Sequence, residues 1–264
     1  MVYVISVDQV KVLLFCDDST LNPLLSLLGN RVCAVVLARP SLIQEELPED
    51  IPVLIQPTSK SGNLECFVDQ IVAIGPEVIV SFSYSRLIPE SIYSLATVDA
   101  VNIHGGLLPE FRGANALNWA LVLGLDTTGV TLHALSEKFD EGDIAFRDLV
   151  TISPLDTALT LRDRLTTVGC DQISRALTLW DQRKSLPKYP QDRHKAKYLR
   201  RRTPEDGLVS CKNTNVEIYN MIRALVDPWP GAIFVSCDGE RHVINEFIPL
   251  EKITALRAQW CTCG

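Results

Sequence analysis

The sequence predicts a doubly wound α/β fold, an open and largely parallel sheet covered on both faces, followed by a small C-terminal α+β subdomain. Two observations carry this expectation. Short apolar runs rich in β-branched residues alternate with longer segments of helical period, and continuous apolar strands separated by helices imply a parallel sheet buried on both sides. Beyond residue 202 the alternation stops, and one helix, a proline-rich turn and a hairpin pattern take its place.

The predicted strands are 10–15 (VKVLLF), 31–38 (RVCAVVLA), 76–82 (PEVIVSF), 99–104 (DAVNIH) and 129–135 (GVTLHAL). Segments 21–29, 65–74 and 114–124 have helical spacing, and the last two run into Gly75 and Gly124, the residue type that closes a helix in the left-handed conformation. The first strand leads into CDDSTLNP, which has no glycine cluster. The phosphate-cradling turn of dinucleotide-binding proteins is therefore missing, and a nicotinamide cofactor is not expected. A long helix is predicted over 155–182, then a basic, proline-containing stretch over 183–202. The segment TNVEIYNMIRALVDPWPGAIFVSCDGERHVINEFIPL reads as a helix, a rigid D-P-W-P-G turn and a hairpin whose tight turn is CDGE. The domains are thus 1–202 and 203–264, the second too small to bury much core of its own.

Composition narrows the function. The 264 residues are 47% hydrophobic and 22% charged, which suits a compact globular protein. The first residues lack a basic n-region, and their apolar run is broken by Asp8, Gln9 and Lys11, so neither a signal peptide nor a membrane span is expected and the cytoplasm is the expected location. The eight cysteines show no C-x-x-C spacing and several lie in apolar runs, as buried small hydrophobes do; the terminal CTCG reads as an unstructured end. A net charge of −7 argues against a nucleic-acid partner held on a broad basic surface. Locally, 183–202 holds nine Lys/Arg and one Asp, a +8 that leaves −15 elsewhere. That stretch fits either a solvated linker or a patch receiving substrate phosphates.

The densest chemistry lies in NIHGGLLPEFRG, Asn102 to Gly113. On a strand, residues two apart point to one face, so Asn102 and His104 are presented together while Ile103 turns into the core. Gly105 and Gly106 open the loop at the carboxyl end, where open α/β sheets bind ligands, and they admit a backbone or a substrate without a Cβ in the way. Pro109 and Gly113 then fix the loop's path. An amide beside an imidazole suits a tetrahedral oxyanion: Asn donates to the developing charge and His moves a proton. FDEGD, with Asp140 and Asp143, follows the next strand and supplies a carboxylate for the same crevice. Taken singly, an Asn-x-His on a strand or an Asp in a turn is as readily structural.

Together these residues resemble the folate-dependent formyltransferases, whose signature is N-x-H-x-S-L-L-P-x-x-x-G with a downstream Asp in D-x-G. The resemblance extends through SFSYSRLIPESIYSL, TGVTLHAL and RRTPEDGLVSCKNTNVEIYNMIRALVDPWPGAIF. One departure is Gly106, where many members have Ser. The resemblance implies formyl transfer from 10-formyltetrahydrofolate to an amine. Asn102 would stabilise the oxyanion, His104 would transfer the proton, and Asp140 would orient His104 and help deprotonate the amine through water; Asp143 would cap the turn. The pterin would be held largely by backbone at Arg86, Leu87 and Ile88 and at Ser136, Glu137, Lys138 and Phe139. No metal is implied. His133, His194 and His242 read as a strand residue, part of the basic stretch and a hairpin residue.

The resemblance leaves three acceptor classes. Methionyl-tRNA formyltransferases are longer and carry a fuller basic C-terminal domain, which fits this acidic chain poorly. RGANALNWALVLG and TGVTLHAL are closer to enzymes acting on nucleotide-linked amino sugars, in lipopolysaccharide and O-antigen synthesis. On that reading Gly105, Gly106, Asn115 and Trp119 flank the acceptor, and Arg112 or Lys195 holds its diphosphate. A hydroxyornithine-type amine is the third class. Outside the class stand a formyltetrahydrofolate hydrolase and a folate-binding protein. The apolar DPWPGAIF and adjacent hairpin offer a surface for a homodimer, and no membrane partner is expected.

Overall fold

The structure, a computed structural model, describes residues 9–16, 20–38, 50–57, 64–210, 212–236 and 239–260. The chain divides into two compact units that are not contiguous in sequence. Unit 1 comprises Met1–His104, Val130–Asp148 and Thr166–Lys195; unit 2 comprises Gly105–Gly129, Leu149–Leu165 and Ala196–Gly264.

In chain order the elements are β1 (Val12–Cys16), α1 (Leu21–Leu28), β2 (Val32–Leu37), β3 (Val53–Ile55), α2 (Val68–Ile74), β4 (Val78–Phe82), α3 (Glu90–Tyr93), β5 (Asp99–His104), β6 (Arg112–Gly113), α4 (Ala116–Val122), β7 (Thr127–Ala134), β8 (Ile144–Thr151), α5 (Ala158–Trp180), β9 (Tyr198–Leu199), α6 (Asn215–Ala224), β10 (Ala232–Val235), β11 (Arg241–Ile244) and α7 (Ile253–Trp260). The five strands and four helices expected from periodicity are all present. The helix and hairpin expected beyond residue 202 are α6, β10 and β11, and strands β3, β6, β8 and β9 with the short helices α3 and α7 complete the set.

Unit 1 carries a seven-stranded sheet in the order β3-β2-β1-β4-β5-β7-β8. The first five of these are parallel. β1 and β4 are buried along their whole length, as their unbroken apolar sequences require. On one face Leu13, Phe15 and Ile79 pack with Ile71 of α2 and Ile92 of α3, with Ala100 of β5 against the same cluster. On the other face α5 lies so close that a Cβ on Gly169 would stand 2.9 Å from Ile103 and from the Phe82 ring. Ile103 therefore faces α5. By the two-residue period of a strand, Asn102 and His104 face the side of Ala100. Gly75 caps α2 at φ 64°, donating its N–H to the Ile71 carbonyl, as its sequence position foretold.

Asp99, at the start of β5, is a buried junction. Its carboxylate accepts from Trp180 Nε1 at 2.7 Å, Ser185 Oγ at 2.8 Å and the Leu186 N–H at 2.8 Å, and it pairs with Lys188. Arg183 pairs with Glu77. Arg183 and Lys188 of the basic stretch are thus committed to internal contacts in unit 1.

Unit 2 is built around α4 and α6. The Asn118 amide donates to the Ala224 carbonyl at 2.7 Å, and Arg223 donates to the Ser153 and Asp156 carbonyls. α6 opens with a reciprocal Thr214–Glu217 capping box. β10 and β11 form the expected antiparallel hairpin, from Ala232 opposite Ile244 to Val235 opposite Arg241. Cys237 and Asp238 of its tight turn lie outside the described residues, as do the CTCG tail and Cys211. β6 and β9 pair parallel, and Gly113 is what permits it: its φ is 97°, and a Cβ there would fall 2.2 Å from the Leu199 carbonyl oxygen.

Candidate functional site

Asn102 and His104 project side by side from the carboxyl half of β5, as the sequence predicts. The neighbouring strand is less expected. β7 runs antiparallel to β5, setting His133 opposite Asn102 and Thr131 opposite His104. The loop after β7 therefore leaves near the start of β5, with the Leu135 N–H donated to the Ala100 carbonyl at 2.9 Å. Asp140 does not reach the site by following strand direction to the carboxyl edge. It reaches it because the loop folds back.

Three features make that fold-back. Asp140 adopts a left-handed conformation, φ 59°, which Asp tolerates better than most residues. Gly142 lies on the backbone of β7, where a Cβ would stand 1.9 Å from the Ala134 carbonyl oxygen. The loop closes with the Ala134 N–H donated to the Asp143 carbonyl at 2.9 Å. The glycine of D-x-G is thus a steric requirement, and the exposed Asp143 contributes its backbone to the closure.

The result is a compact polar cluster within unit 1. Asp140 Oδ1 lies 3.4 Å from His104 Nδ1 and 3.5 Å from His133 Nε2. Asn102 Nδ2 lies 3.1 Å from His133 Nε2. His133 Nδ1 faces the Ala134 carbonyl at 2.8 Å. That oxygen can only accept, so Nδ1 carries the proton and Nε2 accepts from the Asn102 amide. His104, His133 and Asp140 are 8%, 2% and 7% exposed, so their mutual geometry is set in a largely water-excluded pocket. His133 had been read from the sequence as a strand residue only. It is one, and it also orients the Asn102 amide. The available signal was register: an i, i+2 polar pair on one strand wants polar cross-strand partners on the same face.

The two segments expected to hold the pterin also lie in unit 1. Arg86 donates to the Pro57 carbonyl at 3.1 Å, and Ile88 is a core residue at 3% exposure, so this segment offers outward its backbone and Leu87, 42% exposed. In the fold-back loop Ser136 Oγ donates to the Lys138 carbonyl at 2.9 Å, Glu137 and Lys138 are exposed, and Phe139 is 49% exposed.

The expected acceptor residues Gly105, Gly106, Arg112, Asn115 and Trp119 belong to unit 2, and Lys195 to unit 1. At Gly105 a Cβ would meet only Leu165 Cδ1 at an ordinary 3.8 Å, so the fold itself does not demand glycine there. Arg112 is buried, its Nη1 donated to the Tyr198 hydroxyl at 2.8 Å and its guanidinium 5.4 Å from that ring. Lys195 is exposed, 3.9 Å from Asp192. Asn115 and Trp119 come together with residues that the sequence had placed in the basic stretch. Asn115 Oδ1 accepts the Arg202 N–H at 3.0 Å, and Trp119 Nε1 donates to the Arg200 carbonyl at 3.0 Å. The guanidinium of Arg202 lies 4.6 Å from the Trp119 ring and that of Arg200 5.6 Å. Asn115, Asn118, Arg202, Thr203 and Trp229 line a cavity of about 80 Å³. Arg202 Nε is buried with no hydrogen-bond partner among the described residues, and burial holds the guanidinium's pKa below its usual value.

Comparison with known proteins places this geometry. Solved structures of similar fold include a sugar N-formyltransferase from a Shewanella species (19% identity, 91% of this chain and 98% of that one, TM-score 0.71). Another is a 4-N formyltransferase from Francisella tularensis (16% identity, 90% and 98%, TM-score 0.72). HypX from Aquifex aeolicus in complex with tetrahydrofolic acid is also similar, over 86% of this chain and 36% of that one (20% identity, TM-score 0.66). At these identities the likeness is one of fold. The formyl transferase family model matches residues 25–177, more than half of the chain, and the formyl transferase C-terminal domain model matches 201–257. The chain belongs to the formyl transferase family.

Proposed function

We propose that the protein transfers the formyl group of 10-formyltetrahydrofolate to the amino group of a nucleotide-linked amino sugar. The observation that carries the chemistry is the chain of contacts from Asn102 to His133, from His133 to Asp140 and from Asp140 to His104, at 3.1, 3.5 and 3.4 Å. In the reaction the neutral amine attacks the formyl carbon, and the carbonyl electrons move to oxygen. The Asn102 amide, aimed by His133, donates to that oxyanion. His104 and a water held by Asp140 take the proton from the amine nitrogen and return it to the folate nitrogen as the old C–N bond breaks. The products are an N-formyl sugar and tetrahydrofolate. For the donor, Leu87 and Phe139 provide exposed apolar side chains beside the backbone of their segments, a combination suited to a flat heterocycle with many hydrogen-bonding edges.

The nucleotide sugar is favoured by the unit 2 cavity. A half-buried guanidinium, an aromatic ring and two asparagines match a phosphorylated, hydroxyl-rich ligand better than an aliphatic amine. Arg112 and Lys195 are the further cationic candidates. Synthesis of a surface glycan in the cytoplasm is part of the same reading; no helix among the described residues is long and apolar enough to cross a membrane.

Mass spectrometry tests the proposal. The protein and 10-formyltetrahydrofolate are incubated with a panel of nucleotide-linked amino hexoses, initiator methionyl-tRNA and hydroxyornithine, beside an Asn102→Ala control. A formyl mass gain on one nucleotide sugar, lost in the control, is expected. A gain on tRNA or hydroxyornithine alone would replace the acceptor and keep the chemistry. Formate release without an amine would make the protein a hydrolase, and folate binding without turnover a binding protein.

A further inference from the structure

The fold-back loop leaves Asp140 with a difficulty. Its position comes from a turn, one of whose residues has φ 59°, and not from a strand. Turns without external support sample several conformations. The support here comes from 51 residues away. Gln191 Nε2 donates to the Asp140 carbonyl at 2.9 Å and to the Gly142 carbonyl at 2.7 Å, so a single NH₂ group spans the turn. Gln191 is itself fixed. Tyr189 and Ile144 exchange both backbone hydrogen bonds, at 2.8 and 2.9 Å, fastening the segment to the first residue of β8. Three to six residues before Gln191, Ser185, Leu186 and Lys188 converge on the buried carboxylate of Asp99, at the start of the strand that carries Asn102 and His104. Residues 185–191 are therefore a strap, anchored at one end to β5 and at the other to the loop bearing Asp140.

We infer that Gln191 is a positioning residue for formyl transfer: its amide locks the Asp140–Gly142 turn and so fixes the carboxylate against His104 and His133. Gln191 touches no reacting atom, and its effect passes through Asp140. The role rests on the proposed reading of Asp140 as the catalytic carboxylate. It also assigns the first part of the basic stretch a purpose that charge alone does not suggest. Gln191→Ala removes both donors. Gln191→Glu keeps the size and replaces donors with a carboxylate that two carbonyls repel, so it serves if the alanine variant folds poorly.

The test has two readouts. In the first, kcat for formyl transfer falls about 10- to 100-fold in both variants, the scale of a displacement of catalytic groups by about 1 Å, while the acceptor KM holds. In the second, ¹⁵N NMR of the histidine rings in the substrate-free protein shows altered ring-nitrogen shifts and tautomer populations for His104 and His133 in the variants. Imidazole ¹⁵N spectra that superimpose on the wild type, or a lowered Tm with wild-type kcat, would overturn the positioning role. If the rings shift but the wild type formylates no amine, the reaction assignment fails and the positioning of Asp140 stands.

Discussion

The two units hold their functional side chains by different means. In unit 1 the amide, imidazoles and carboxylate are set by strand register, a left-handed turn and a glycine pressed on a carbonyl, and their polar atoms already face one another. In unit 2 Arg202 rests on Trp119, lines a cavity and keeps a buried Nε without a hydrogen-bond partner among the described residues. Groups fixed before the reaction serve charge that appears during it, because no reorganisation is needed at that moment. A buried donor without an acceptor is costly until one arrives, which favours a bound ligand. Substitutions in unit 1 should therefore act on kcat, and those in unit 2 on the acceptor KM.

The sharpest break of this contrast is Asn102→Ala. Loss of one oxyanion donor is expected to lower kcat roughly 10²- to 10³-fold with Tm little changed, as read by steady-state kinetics and calorimetry. A rise in KM alone would move Asn102 to the binding side. His133→Phe comes next. It keeps ring volume but removes the nitrogen that accepts from Asn102, so the amide can rotate away, and a loss in kcat of about 10- to 100-fold is expected. Wild-type kcat in that variant would mean the cross-strand contact does not aim the amide.

Most of unit 1 was legible in the sequence, and the reasons it was are specific. β1, β2, β4 and β5 are apolar runs bounded by turn residues, and Gly75 and Gly124 fall where the left-handed caps are. β8, IAFRDLVT, escaped because as a sheet-edge strand it is half exposed and mixes charge with apolar residues. β3 escaped through its three-residue length. Asn102, His104 and Asp140 could be picked out because their types and spacing carry chemistry. The roles of His133 and Gln191 could not, because each depends on pairing: an antiparallel register in one case, and a contact across 51 residues in the other. The basic stretch is hard to read from sequence for a similar reason. Composition counts its charges, whereas Asp99, Glu77 and Asp206 take up several of them in the fold.

On the binding side, Arg202→Ala is expected to raise the acceptor KM about 10- to 100-fold, the scale of one hydrogen bond to a charged group, with kcat near the wild type. Isothermal titration with the acceptor alone separates this from a chemical defect. A fall in kcat at constant KM would erase the distinction between the units. Gly105→Ala is milder. Since Leu165 leaves room for a methyl group, Tm should hold, and any change should appear in substrate kinetics; a marked loss of Tm would instead assign Gly105 to the fold.

The smallest effect concerns how unit 2 keeps its arginines in place under acid. The hydrogen bond from Arg200, then that from the Thr203 N–H, hold the Asp206 carboxyl well below its ordinary value of 3.8. Asp206 in turn receives Arg200 Nη1 at 2.6 Å and the Thr203 N–H at 2.7 Å, and its own carbonyl accepts from Arg202. A carboxylate whose pKa is depressed on folding contributes stability that is present above its unfolded value and lost as pH falls toward its folded one. Asp206→Asn should therefore flatten the decline of Tm between about pH 5 and pH 2 while lowering Tm slightly at neutrality. Its partner Arg200 is exposed, so about 1 M salt should shrink the difference between the variant and the wild type. Arg202, which is partly buried, should respond to salt less, and an equal response in acceptor binding and in acid stability would mean that Arg202 owes its position to the ion pair beside it and not to Trp119.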